Sequence, residues 1–95
     1  MHPDIQVLLD GGLRTTHIAS LLAVNRNTAS KWIAGKSPHK MVRPALRRLA
    51  AAVSAAIKSG KLPVPSNKLA PGEAYLRTYA VAKEYRDRPW EGDGD

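Results

Sequence analysis

The chain has 95 residues, a formal charge of +7 and no cysteine. This length allows one domain with a modest core, and the absence of thiols excludes disulfides and thiolate chemistry. No apolar run approaches the roughly 20 residues of a membrane span, and the N-terminus has no signal-peptide pattern. These features predict a cytoplasmic protein with no membrane partner.

The positive charge lies in the middle of the chain. Residues 11–72 contain eleven Lys or Arg and no Asp or Glu, whereas residues 73–95 contain four basic and six acidic residues. The sequence pI is about 10.2. A purely cationic segment is typical of a protein that meets a polyanion, and duplex DNA is the commonest one.

Three short helices are predicted first. Pro3 and Asp4 suit the start of a helix that the Gly11–Gly12 pair ends. Thr15 or Thr16 can cap a second helix, and Asn25 can cap a third that runs to about Ala34. Each has an apolar face at helical spacing, formed by Ile5, Leu8 and Leu9 in the first helix, Ile18, Ala19 and Leu22 in the second, and Ala29, Trp32 and Ile33 in the third.

The longest helical pattern covers residues 42–59, and Gly60 ends it. Residues 61–72 contain three prolines and are predicted to be a linker. A last helix is predicted over residues 73–88, followed by a disordered acidic tail at 89–95. No segment has a strand pattern, so we expect an all-α, compact helical bundle, with residues 1–60 as its main domain.

Residues 15–35 predict two helices crossing at a tight corner. Such a corner needs a small residue where the backbones approach, which Ala19 provides, and a branched apolar plug, which Val24 provides. Helical spacing then turns four side chains outward from the start of the third predicted helix, which is the second of this pair: Arg26, Asn27, Ser30 and Lys31. Trp32 could stack on a base, but its spacing favours a place in the core.

This segment resembles the helix-turn-helix of phage Cro- and repressor-like regulators, the XRE-type domain. The resemblance is carried by Ile18-Ala19, Leu22-Ala23-Val24, Thr28-Ala29-Ser30-Lys31-Trp32, Gly35 and Pro38. Two residues depart from the family pattern. Ala23 replaces the usual turn glycine, which is unfavourable if that residue needs a positive φ, and Ala29 replaces a larger β-branched residue.

The resemblance implies that the helix after Asn25, the second of the pair, enters the major groove of double-stranded DNA. It implies base readout by Arg26, Asn27, Ser30 and Lys31. Candidate phosphate contacts are Thr15, Thr16, Thr28, Lys36, Lys40 and Arg43. For Arg26 and Lys31 the alternative is an ordinary solvated helix face, and Arg47 and Arg48 are open to both interpretations.

The last helix has an apolar stripe that suits protein contacts, formed by Tyr75, Leu76, Tyr79 and Ala82. It can pack back on its own chain or form a dimerisation arm with a second copy. Family members are usually dimers, so the resemblance favours a homodimer.

Other chemistries have little support. His2, His17 and His39 lack the clustered spacing of a metal site. Gly35-Lys36-Ser37 lacks the upstream glycine and strand of a phosphate loop, and no nucleophile has a visible base. We therefore expect no enzyme, no cofactor, no metal and no small-molecule substrate.

The sequence predicts a DNA-binding transcriptional regulator, a phage- or prokaryote-type repressor that acts as a dimer in the bacterial cytoplasm or nucleoid. One alternative is a helix-turn-helix module for excision, transposition or packaging. A second is a protein-binding adaptor or antirepressor, which the acid-free middle of the chain disfavours.

Overall fold

The computed structural model describes residues 2–65 and 69–88, and it confirms the all-α class. Five helices follow one another: α1 (Pro3–Asp10), α2 (Thr15–Leu22), α3 (Arg26–Ile33), α4 (Arg43–Lys58) and α5 (Pro71–Asp87). None of the helices in these residues is long and apolar enough to cross a membrane.

Helix α4 is the centre of the bundle. It packs against α1, α2 and α5, while α3 packs against α2. One face of α4 is buried along its whole length through Leu46, Leu49, Ala50, Ala52, Val53 and Ala56. Because half of these residues are alanines, neighbouring helices can approach α4 closely.

The turn between α1 and α2 depends on two glycines. A Cβ on Gly11 would lie 2.5 Å from Cγ1 of Val53, so α4 packs directly on the backbone there. Gly12 has φ +88, a conformation that residues with a Cβ rarely adopt. The pair therefore ends α1 and lets it lie against α4.

The segment 61–72, predicted to be a linker, contributes in part to the core and to the last helix. Leu62 is buried with 3% of its surface exposed and belongs to the hydrophobic core. The last helix begins at Pro71, two residues before the predicted start. A single buried leucine has no periodicity, which is why the sequence did not reveal its place in the core; the predicted tail at 89–95 lies outside the described residues.

Helix α5 packs on its own chain. Ala82 and Tyr85 are buried in the common core. Tyr75 donates a hydrogen bond to the Thr16 hydroxyl, and Ser20 is hydrogen-bonded to the Tyr79 hydroxyl at 3.3 Å. The two residues on α2 are four positions apart, and so are the two on α5. The order of the pairs is the same on both helices, so α5 runs beside α2 in the same direction.

At the C-terminal end of α2, a charged side chain of α5 forms a further contact between the two helices. Nη1 of Arg86 donates to the carbonyl of Leu21 at 2.8 Å. Carbonyls in the last turn of a helix have no partner within the helix, so Arg86 satisfies one near the end of α2. Helix α5 therefore fixes α2 from its first turn to its last.

His17 joins the same two helices from inside. Its Nδ1 accepts a hydrogen bond from the backbone N–H of Arg14 at 2.8 Å, and its Nε2–H donates to the carbonyl of Tyr75 at 3.0 Å. The imidazole also stacks on the Tyr75 ring, with centroids 3.9 Å apart. This pattern requires the neutral ring, because an imidazolium has no acceptor for the Arg14 N–H.

Burial lowers the pKa of His17 below its ordinary value of 6.5, and the charge of Arg14 lowers it further, against an opposing effect of the Tyr75 carbonyl. The unfolded chain therefore binds a proton at higher pH than the folded chain. We expect the contribution of His17 to the free energy of unfolding to be complete above pH 6.5. As the pH falls from 6.5 through the lower folded-state pKa, this contribution is lost, by at most about 1.4 kcal/mol per pH unit.

Urea unfolding between pH 7.5 and 5 measures this effect. The control is His17→Gln, which should be less stable at pH 7.5 but should lose the extra pH dependence, since few carboxylates titrate in that range. If the variant had the same slope as the native chain, the pH dependence would not arise from His17.

Candidate nucleic-acid interface

The corner between α2 and α3 is built on one strained residue. Ala23 has φ 56 and ψ 43, in the left-handed region. This turn lets the N–H of Val24 donate to the carbonyl of Ala19 at 2.9 Å. The unfavourable position that the sequence indicated at Ala23 is therefore real, because an alanine occupies a conformation suited to glycine.

Helix α3 begins with a side-chain cap. The Asn25 side chain accepts a hydrogen bond from the backbone N–H of Asn27 at 2.7 Å, as predicted. This bond satisfies one of the N–H groups that a helix start leaves without a partner. It also fixes where the first turn of α3 begins relative to the corner.

The two faces of α3 have different environments. Ala29 is completely buried and Trp32 is 3% exposed, so Trp32 is a core residue as its spacing indicated. The four predicted base-reading residues are all exposed: Arg26, Asn27, Ser30 and Lys31. The packing of Trp32 therefore turns a polar, cationic surface outward from the first two turns of α3.

The cations of this surface have no carboxylate partner in the described part of the chain. The ion pairs found there are Arg77–Glu73, Arg86–Asp87 and Arg88–Glu84, in and after α5. His2 lies 3.9 Å from the Asp4 carboxylate at the start of α1, which is an ion pair only when His2 is protonated. Since residues 11–72 contain no acid, the positive field of this segment is not neutralised locally.

The loop after α3 carries the next cations. Lys36 and Lys40 are exposed, and the N–H of Lys36 donates to the carbonyl of Lys31 at 2.9 Å, so the loop starts on the last turn of α3. Arg43 is exposed, and its Nε donates to the carbonyl of Pro38 at 3.2 Å. These three candidate phosphate contacts therefore follow α3 without a break.

The threonines divide into two groups. Thr15 and Thr28 are half-buried at the first turns of α2 and α3. The cap residue of α2 is Arg14, so the prediction that Thr15 or Thr16 caps this helix is wrong, because both threonines already lie inside it. The Thr16 hydroxyl accepts a hydrogen bond from Tyr75 and lies on the side of α2 that α5 covers. Of the three, Thr16 is therefore the least suited to a phosphate contact.

The proposed dimerisation residues also differ from one another. Ala82 is completely buried within the chain, and Tyr75 and Tyr79 are half-buried with their hydroxyls bonded to α2. Leu76 is 68% exposed. Of the four, only Leu76 retains most of its surface for a second copy.

Comparison with known proteins gives no relative. No protein-family model, no curated protein and no solved structure matches the chain.

Sequence reasoning missed the role of His17. It lies at the third position of α2, where Glu or Gln commonly accepts a bond from the cap residue, and this position was the one local signal. Its second partner, Tyr75, is 58 residues away. The bond between them could not be found without the tertiary structure. In the described residues, no group of three His, Asp or Glu side chains could hold a metal ion.

The strain at Ala23 gives a stability test. Ala23→Gly removes the contact between Cβ and backbone that disfavours this conformation, so we expect the free energy of unfolding to rise by about 1 kcal/mol. The control is Ala51→Gly on the exposed face of α4, where the same substitution should lower it by about 1 kcal/mol. Urea unfolding measures both, and a loss of stability in Ala23→Gly would contradict the assignment.

Proposed function

We propose that this protein is a sequence-specific DNA-binding regulator that places α3 in the major groove. The observation that carries the proposal is the two-sided character of α3, with Trp32 and Ala29 in the core and four polar or cationic side chains exposed. A short helix with this arrangement after a tight corner presents its first turns to base edges.

The exposed side chains have chemistry suited to bases. Arg26 can donate two hydrogen bonds to O6 and N7 of guanine, and Asn27 can pair with N6 and N7 of adenine. Ser30 and Lys31 lie four residues after them, one helical turn further along the same surface. Together they form a small readout surface on two successive turns.

The surroundings of α3 favour an electrostatic mode of binding. Lys36, Lys40 and Arg43 continue the positive surface beyond its end, with no ion pair to a carboxylate in residues 2–65 or 69–88. Lysine and arginine contacts with phosphates supply affinity and orientation, while base contacts supply specificity. The protein would occupy an operator and change promoter use.

Two other functions are compatible with parts of this surface. A helix-turn-helix module for excision, transposition or packaging would use the same contacts on DNA, and binding-site selection followed by a promoter assay separates it from a regulator. A protein-binding adaptor needs no base-reading side chains, and the segment 11–72, which contains α3 and no acid, is poorly suited to it.

The readout is tested by two substitutions with different expected effects. Asn27→Ala removes a base contact and should reduce the preference for the selected site over random duplex by about 1–3 kcal/mol. Lys40→Ala removes a phosphate contact and should weaken binding to every sequence, with the slope of log K against log salt concentration reduced by about 0.9.

The affinities of the two variants and of the native chain are measured by fluorescence anisotropy, on a site selected from random duplex DNA and on random duplex. Because both residues are exposed, circular dichroism should show unchanged folding. An intact site preference in Asn27→Ala would remove Asn27 from the readout, and the lack of any duplex binding by the native chain would reject the proposed function.

We also propose a homodimer, whose contact surface on α5 would comprise Leu76 and the exposed parts of Tyr75 and Tyr79. Leu76→Glu should shift the mass in sedimentation equilibrium from twice 10.3 kDa to 10.3 kDa, while Leu76→Met should not. A chain ending near residue 62 would be a poorer test, since it also removes Ala82 and Tyr85 from the core. A native chain that stays monomeric at high concentration would reject the dimer.

A further inference from the structure

Met41 is an exposed apolar side chain in a cationic loop. In the described residues, two large apolar side chains are left exposed: Met41 at 80% and Leu76 at 68%. Leu76 lies on α5, next to the ion pair between Glu73 and Arg77. Met41 lies between Lys40 and Arg43, in the segment without acids.

The loop around Met41 is held in place by packing and hydrogen bonds. The Pro38 side chain is completely buried, and its carbonyl accepts the bond from Nε of Arg43. The N–H of Met41 donates to Nδ1 of His39 at 3.1 Å, and the N–H of Val42 donates to the carbonyl of His39 at 2.9 Å. Met41 therefore projects from an anchored backbone.

An exposed methionine with cations close to it in the chain is suited to one kind of partner, the backbone of a nucleic acid. A protein partner needs roughly 800 Å² of contact on each side, and a bilayer needs a wide apolar face; a single methionine among cations supplies neither. The backbone of DNA alternates charged phosphates with deoxyribose rings that expose apolar C–H groups. Met41 follows Lys40 directly and is separated from Arg43 by the half-buried Val42, so an exposed apolar side chain lies between two cations.

The loop is also placed where α3 would leave the groove. At its start, the N–H of Lys36 donates to the carbonyl of Lys31 in the last turn of α3. A chain that leaves the end of a groove-bound helix next meets the sugar–phosphate backbone at the groove edge.

We propose that Met41 packs on a deoxyribose at the edge of the groove that α3 occupies, between phosphates held by Lys40 and Arg43. This inference rests on the proposed function and adds to it a contact that depends neither on base sequence nor on salt. An apolar contact displaces no counterion, so it changes the affinity at every salt concentration without changing the salt dependence.

The salt dependence separates this contact from an ionic one. Fluorescence anisotropy with a random-sequence duplex of about 20 base pairs, roughly two helical turns, gives the affinity from about 50 to about 200 mM salt. The variant Met41→Gln keeps the side-chain length but adds polar atoms. Its affinity should fall about fivefold at every salt concentration, the effect of losing roughly 40 Å² of buried apolar surface, with the slope unchanged.

Two control variants complete the series. Met41→Leu retains the apolar volume and should bind within about twofold of the native chain. Lys40→Gln should reduce the slope by about 0.9, which establishes that the assay detects the loss of one phosphate contact. Since Met41 is exposed, its variants should have the same thermal unfolding as the native chain.

Two results would overturn the proposal. The first is Met41→Gln binding as tightly as the native chain over the whole salt range. The second is a reduced slope in Met41→Gln, which would mean that the substitution acts through the neighbouring cations. In both cases the native chain binds duplex DNA and the proposed function stands, whereas a native chain that binds no duplex rejects the two together.

Discussion

The burial of Trp32 and Ala29 is the interaction on which the candidate interface depends. Helix α3 has eight residues, and a helix of this length has little stability alone in water. It forms because its apolar face is buried in the core. The same burial sets which side chains face solvent, so the orientation of Arg26, Asn27, Ser30 and Lys31 follows from the packing of Trp32.

The corner adds a second constraint to this packing. Ala23 in a left-handed conformation costs about 1 kcal/mol, and the fold tolerates this cost because the turn allows Val24 to bond back to Ala19 and lets Asn25 cap α3. The position and the start of α3 are therefore fixed at its N-terminal end, where contacts with bases are proposed.

Helix α5 extends the rigidity to the other side of α2. The bonds from Tyr75 to Thr16, between Tyr79 and Ser20, and from Arg86 to Leu21 line up along α2, and His17 adds an internal link that requires a neutral ring. This arrangement uses most of the apolar surface of α5 within one chain. The Arg–carboxylate ion pairs of the described residues lie in and after α5, because residues 11–72, which include α3, contain no acid.

The sequence by itself determined the helical class, the approximate bounds of the first four helices, the Asn25 cap of α3 and the division of α3 into core and exposed faces. These features are local, since period, cap residues and glycines act within a few positions. Only the tertiary structure decided that Leu62 belongs to the core, that α5 packs on its own chain, that Thr16 is bonded to Tyr75, and that Met41 projects from an anchored loop. Each of these depends on contacts between residues far apart in the chain or on a buried neighbour, and no local pattern encodes such contacts.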